Sequence, residues 1–288
     1  MGAIRRLGII STGRVRIRPD HVKYSGAPTF WWLLTSRTWT KPRPINVYVI
    51  EHDDGLVLFD TGQDRASVTD PSYFPRGIAG LIYRRLAEFT ISETDTLTSQ
   101  LRSLGYEPKQ VAVVVLSHLH QDHIGGLADL PNARILIHQD ELSTLDNPFA
   151  AFAGLLVSHI KLPGLRWEPF EFSSTSDTTL MPFNRSLDVF GDGRLVLLPT
   201  PGHTPGSLSM LLRESGMPAV LLVGDLTYDI HCLETDHVPG VGNRRLLHRS
   251  TRMVSGLKKA YPDLLVAAAH DPSAAQRLDA ALPGGRLK

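Results

Sequence analysis

Ser117-His118-Leu119-His120-Gln121-Asp122-His123 places three histidines and an aspartate within six positions, directly after the apolar run Val111-Ala112-Val113-Val114-Val115-Leu116. Imidazole nitrogen and carboxylate oxygen are donors that suit zinc and neighbouring transition ions. One histidine alone is more often a packed or solvated polar group. Three with an aspartate in a single turn read as a metal site. The run ahead of them has the length and β-branched character of a buried strand, and Gly125-Gly126 punctuate the chain behind them. The cluster therefore sits on a turn at a strand's C-terminal edge, where open α/β folds place their chemistry.

Four further polar residues stand in the same relation to an apolar run. Asp60 follows Leu56-Val57-Leu58-Phe59, His203 follows the segment Leu187 to Leu198, Asp225 follows Ala219 to Val223, and His270 follows Leu264 to Ala269. Five strands that deliver polar side chains at one end converge on one place, a stronger signal than any single motif. His118 and His120 alternate on an extended segment and can face one ion. Asp122 and His123 come after the chain begins to turn and can serve a neighbour. Cys232 is the only cysteine, which excludes an intrachain disulfide and zinc sites of the multi-cysteine type.

The elements that must position these groups are legible in outline. Ile4 to Ile10 and Val15 to Arg18 read as strands about a turn at Ser11-Thr12-Gly13. Asn46 to Ile50 and Leu56 to Phe59 flank His52-Asp53-Asp54-Gly55, a hairpin signal. Asp64 to Thr90 is a long connection that reads as a lid or as a packing helix from Ile78 to Phe89. Ser92 and Gly105 bound a helical stretch from Glu93 to Leu104. Ala133 to His138 reads as a strand, Gln139 to Leu145 and Phe149 to Ile160 as helical, and Asn243 to Ala260 as a longer helix. Leu187 to Leu198 turns at Gly191-Asp192-Gly193, and Ser207 to Arg213 pairs with Ala219 to Val223. The tail from Pro283 to Lys288 is expected to fray.

With 288 residues, 42% of them hydrophobic and 20% charged, the composition is that of an ordinary globular protein, expected as one domain over residues 1–288. A net charge of +1 gives no global reason to expect a nucleic-acid partner. No apolar run approaches the ~20 residues that span a bilayer. Leu7 to Ile10 is too short for a signal-peptide core, so the expectation is a cytoplasmic enzyme with no membrane association.

The strand-end motifs resemble those of the metallo-β-lactamase superfamily: Asp60-Thr61-Gly62, His-x-His-x-Asp-His from His118 to His123, Pro201-Gly202-His203, Gly224-Asp225 and His270-Asp271, in that order over nearly the whole chain. The resemblance implies an α/β fold, the four-layer αββα sandwich, with a site for two divalent metal ions of the zinc type. His118, His120 and His203 would hold the first ion, Asp122, His123 and His270 the second, and Asp225 would bridge them. Asp60 would orient a ligand histidine from behind. A paired site lowers the pKa of a water to roughly 7 and polarises a carbonyl, which implies hydrolysis without a protein nucleophile.

Departures narrow the branch. The bridging position is Asp225, where many true β-lactamases have a cysteine-containing second site. His120 stands where the diiron oxygen-reducing members carry a glutamate. Ser207 replaces the last histidine of the Gly-His-Thr-x-Gly-His run of glyoxalase-like thioesterases. Tyr228 follows Asp225 by three positions, as in the N-acyl homoserine lactone lactonases of the superfamily. There a tyrosine hydrogen-bonds the lactone carbonyl, and a phenol so placed can donate to a developing oxyanion.

The resemblance thus implies a quorum-quenching lactonase in which Tyr228 binds the carbonyl and Asp122 moves a proton to the leaving alkoxide. Its partner would be a small-molecule lactone or ester, and by analogy a second copy in a homodimer. The alternative is a hydrolase of the same fold acting on another lactone, an aryl ester, a thioester or a phosphotriester. His21, His52, His138, His159, His231, His237 and His248 lack ligand-like spacing and read as ordinary polar or core groups. Trp31, Trp32, Phe74, Ile78, Tyr83, Phe149 and Phe152 are candidates for an apolar groove, although large apolar residues are more often core.

Overall fold

Apolar residues occupy both faces of most strands, so each sheet must be covered twice. The computed structural model describes residues 2–282 and resolves this demand with two sheets and two helical layers. The first sheet contains β1 (Ile4–Ile17), β2 (Arg43–His52), β3 (Gly55–Phe59), β4 (Ala87–Thr90), β5 (Val111–Val115), β6 (Arg134–His138) and β7 (Arg166–Phe170), in the order β4-β1-β2-β3-β5-β6-β7. The second contains β8 (Ser173–Ser174), β9 (Arg185–Asp188), β10 (Leu195–Pro199), β11 (Leu208–Leu212), β12 (Val220–Leu222) and β13 (Leu265–Ala267), in the order β13-β12-β11-β10-β9-β8.

The period-2 alternation assigns each side chain to a layer. Val47, Val49, Leu56, Leu58 and Val114 pack with Leu97 and Leu101 of the helix Leu97–Ser103. Their neighbours Tyr48, Ile50, Val57, Phe59, Val113 and Val115 turn the other way, onto Leu195, Leu197, Met210 and Leu222 of the second sheet. Val196, Leu198 and Leu221 then meet Leu247, Val254 and Leu257 of the helix Arg244–Ala260. The result is helix, sheet, sheet, helix: the αββα sandwich that the motifs imply.

Strand direction puts the polar ends together. β3, β5, β6 and β7 run parallel. In the second sheet β10 is antiparallel to β11 and β11 to β12, so β10 and β12 point the same way, and β13 is parallel to β12. Asp60, the His118 run, His203, Asp225 and His270 therefore emerge at one rim.

Several local expectations change. The Ser11-Thr12-Gly13 turn is a register shift inside one continuous strand, β1. The 64–90 connection is packed structure: a helix spans Gly77–Leu86, with Ala79 and Tyr83 buried and Ile78 and Leu81 exposed. That helix ends short of Phe89 because Ala87-Glu88-Phe89-Thr90 pairs with the edge of β1, from Arg14↔Thr90 to Ile17↔Ala87. The stretch Phe149 to Ile160 is broken at Gly154, whose φ is 88°, into a 3-10 turn Ala150–Ala153 and a short helix Val157–Ile160. The tail beyond residue 282 lies outside the described residues. Among those described, no helix is long and apolar enough to cross a membrane.

Candidate metal centre

All seven side chains expected as ligands meet at the rim, in two clusters. In the first, His118 Nε2 lies 3.1 Å and His203 Nε2 2.9 Å from His120 Nδ1. A tetrahedral ion with bonds of ~2.0–2.1 Å separates its nitrogen ligands by roughly 3.3 Å, so these three atoms already stand close to ligand spacing. In the second cluster, His270 Nε2 is 3.3 Å from Asp122 Oδ2, and His123 Nε2 is 3.8 Å from Asp122 Oδ1. Asp225 straddles both. Its Oδ2 is 3.5 Å from His203 Nε2, and its Oδ1 is 3.5 Å from both His123 Nε2 and His270 Nε2. His123 Nε2 and Asp225 Oδ1 are buried without a hydrogen-bond partner. Converging lone pairs and orphaned buried acceptors are what a divalent cation satisfies, so the His/Asp clusters fit a divalent metal site.

The far side of most rings is tied down, and this selects the nitrogen that faces inward. Ser117 Oγ, 2.9 Å from His118 Nδ1, donates in turn to Asp60 Oδ2 at 2.9 Å. His123 Nδ1 donates to the same Asp60 oxygen at 2.8 Å. His270 Nδ1 donates to the Pro44 carbonyl at 3.0 Å. His120 is reversed: its Nε2 donates to the Ala153 carbonyl at 3.0 Å, which leaves Nδ1 facing the cluster. Asp60 thus takes the orienting place expected of it. It sits at φ 63°, a left-handed turn that aspartate tolerates better than most residues.

Electrostatics follow from burial and crowding. Burial and the neighbouring rings of His123, His120 and His203 push His118 well below its ordinary pKa, and burial with His120 takes His203 down to about 3. Both rings are neutral and offer lone pairs. Burial works against ionising Asp225, but the rings of His270 and His123 outweigh it and hold the carboxyl well below its usual range. Asp122 shows the same contest, settled by the His270 hydrogen bond at about 2. Burial, reinforced by Asp225, pushes the Tyr228 phenol well up. That phenol donates to Asp225 Oδ2 at 2.7 Å, and its ring stacks on His270 with centroids 5.5 Å apart. In this structure Tyr228 therefore holds the shared carboxylate.

The clusters form the floor of a cavity of ≈ 400 Å³ with largely apolar walls, among them Leu33, Ile82, Leu86 and Phe89. Of the groove candidates, Tyr83 and Phe152 line it. Trp32 is buried with its ring edge-on to His21, Phe74 packs on Tyr73 and Tyr83, and Trp31, Ile78 and Phe149 are exposed and are not among the lining residues. Three supporting residues carried no signal of spacing. Glu141 is fully buried and accepts from Leu119 N and Gly206 N at 3.0 Å each, which staples the two histidine-bearing loops together. Arg43 donates to the carbonyls of Tyr228 at 2.6 Å and His270 at 3.3 Å. His21, read as an ordinary histidine, lines the cavity.

Comparison with known proteins places this geometry. A profile of the Metallo-beta-lactamase superfamily matches residues 40–270. N-acyl homoserine lactonase AttM of Rhizobium radiobacter is 29% identical over 233 residues, covering 80% of this chain and 83% of that protein. A probable metallo-hydrolase of Mycobacterium tuberculosis is 31% identical over 250 residues, covering 79% of this chain and 74% of that one. Among solved structures, an N-acyl homoserine lactone hydrolase with N-hexanoyl-L-homoserine bound at its catalytic metal centre aligns with a TM-score of 0.74. It covers 93% of this chain and 94% of that one at 23% identity, a likeness of fold.

Proposed function

The chain belongs to the metallo-beta-lactamase superfamily and is a metal-dependent hydrolase; from that premise we propose that it opens the ester ring of lactones, with N-acyl homoserine lactones as substrates. His118, His120 and His203 would hold one ion and Asp122, His123 and His270 a second, with the Asp225 carboxylate beside both clusters. Two divalent ions of the zinc type held there would supply water ionised near neutral pH and an electrophilic contact for the ester carbonyl.

The chain's own groups do the rest. Tyr228, kept protonated by burial, exchanges its bond to Asp225 for one to the carbonyl oxygen and so donates where negative charge develops. Asp122, ionised at the cavity floor, takes up a proton and delivers it to the departing alkoxide. The apolar walls receive the acyl chain and keep water from the reacting atoms.

The observation that carries this reading is the Asp225 carboxylate, with one oxygen toward each cluster and the Tyr228 hydroxyl on it. It is supported by relatives named as lactonases that match four-fifths of the chain. The test combines metal analysis with proton release on ring opening. Two ions per chain and turnover of N-acyl homoserine lactones are expected. Tyr228→Phe should lower kcat by about 10²-fold with metal content intact. Saturation at one ion, or fast cleavage of another ester with no lactone opened, overturns the proposal.

A further inference from the structure

Large apolar side chains that reach water are not scattered over this protein. Ten are exposed among the described residues, and seven of them lie on three adjoining elements. Phe30, Trp31 and Leu34 belong to the helix Thr29–Thr35, and Ile78 and Leu81 to the helix Gly77–Leu86. Phe149 and Phe152 belong to the 3-10 turn Ala150–Ala153 and the residue that caps it. The first helix lies against the second, and the second against the turn. Arg85 ties the two helices together by donating to the carbonyls of Leu33 and Leu34. Each element also lends a side chain to the cavity wall, Phe30, Ile82 and Phe152, so the patch rings the mouth of the cavity whose floor is the metal centre.

Its size asks for an occupant. The four aromatic side chains, roughly 200 Å² each and 51–72% exposed, present on the order of 500 Å² between them. With Leu34, Ile78 and Leu81 added, the patch exceeds the ~300–600 Å² of the largest patch on a typical monomer. Trp31, Ile78 and Phe149 do not line the cavity, so a ligand bound inside it leaves them uncovered.

Charge around the patch has one sign. Residues 21–41, 71–87 and 147–161 contain none of the 29 Asp and Glu of the chain. Within them Lys23, Arg37, Lys41, Arg76 and Arg84 are exposed and form no ion pair among the described residues. Aromatic and aliphatic side chains with cations beside them and no anions match the headgroup boundary of an anionic bilayer, where apolar faces sink in and Lys and Arg meet lipid phosphates. A second copy of the chain fits less well. A two-fold contact sets a patch against itself, which would bring these unpaired cations of one copy toward those of the other.

We propose that this face docks on anionic membrane surfaces, with Trp31, Ile78 and Phe149 below the headgroups and the cavity opening onto the bilayer. This departs from the expectation of no membrane association, which considered only spanning segments and a signal peptide. A surface that lies in the interface needs neither. The proposal is separate from the lactone reading: it concerns where the cavity meets its ligand, and not which bond is cut.

The experiment floats the metallated protein with vesicles of phosphatidylcholine alone and of an equal mixture with phosphatidylglycerol, at low and high salt. Co-flotation with the anionic vesicles at low salt is expected, weakened by high salt. Trp31→Ser combined with Ile78→Ser should weaken partitioning by about 100-fold. Arg37→Gln combined with Arg76→Gln should weaken it by about 25-fold, on anionic vesicles only. Wild type that does not bind, or variants that bind as wild type does, overturns the proposal. Sedimentation velocity without lipid decides the rival: a dimer that Trp31→Ser dissociates gives the face to a second copy and overturns membrane docking. If the variants do not fold, quenching of the wild-type tryptophan fluorescence by brominated lipids decides the matter, and its absence refutes docking. Binding is read without turnover, so the result stands whether or not lactones are opened.

Discussion

Asp60→Asn separates the orienting role of Asp60 from simple packing. The buried carboxylate accepts three hydrogen bonds: Ser117 N at 2.7 Å on Oδ1, and Ser117 Oγ at 2.9 Å and His123 Nδ1 at 2.8 Å on Oδ2. Asparagine has one acceptor oxygen to cover these positions. If its amide nitrogen takes the Oδ1 place, it faces the Ser117 N–H, and a buried donor is left unsatisfied at about 1–3 kcal/mol. If it takes the Oδ2 place, it faces His123 Nδ1, and the ring must carry its proton on Nε2 instead. That proton occupies the lone pair aimed at Asp122 and Asp225. Losing such an orienting partner lowers metal affinity by about 10–100-fold, equal to about 1.4–2.7 kcal/mol. The assay is metal retention after dialysis against graded chelator, with thermal melting of the metal-free protein alongside. Weaker retention is expected, with the apo protein destabilised only to the extent of one unsatisfied donor. Retention equal to wild type would refute the argument that Asp60 sets the His123 tautomer.

Other substitutions test the surrounding frame. In Gly154→Ala, at φ 88°, the new Cβ would lie 2.8 Å from His120 Cδ2, so His120 should shift, and metal content should fall together with a loss of about 1–2 kcal/mol in calorimetry. Glu141→Ala leaves the buried N–H groups of Leu119 and Gly206 unpaired, at about 1–3 kcal/mol each; hydrogen exchange should speed up at these two amides first. His21 has its pKa depressed from 6.5 to about 4 in the folded chain. The unfolded chain therefore binds the extra proton between those values, and stability present above pH 6.5 is lost as pH falls toward 4, by up to about 3 kcal/mol. Urea denaturation of the wild type across that window should show the slope, and His21→Phe should flatten it.

Much of the site was legible because its chemistry is local. Alternation with period 2 marks the strands, and a polar residue directly after an apolar strand marks a rim position wherever the partners lie. Asp60, the His118 cluster, His203, Asp225 and His270 could be picked out on that basis, while the division of the ligands between two ions and the place of Tyr228 came from the resemblance to the metallo-β-lactamase superfamily. The layered fold was legible through the resemblance, and the structure gives its physical reason: strands apolar on both faces require cover on both sides. Where local periodicity was ambiguous, the reading failed. Ala87 to Thr90 continues a helical pattern, yet the unpaired edge of β1 claims it as a strand. Gly154 interrupts a stretch that spacing alone would make one helix, because the turn there must bring the Ala153 carbonyl to His120.

The sequence by itself determined which residues could bind a cation and that they would leave their strands at a common edge. Only the tertiary structure decided which nitrogen each ring presents, since the groups that fix it are remote: the Pro44 carbonyl for His270 and the Ala153 carbonyl for His120. It also decided that Glu141 joins the loops of Leu119 and Gly206, that Tyr228 rests on Asp225, and that His21 borders the cavity. A hydrogen bond is a short-range, directional contact between groups that folding alone brings together, and no spacing along the chain encodes it.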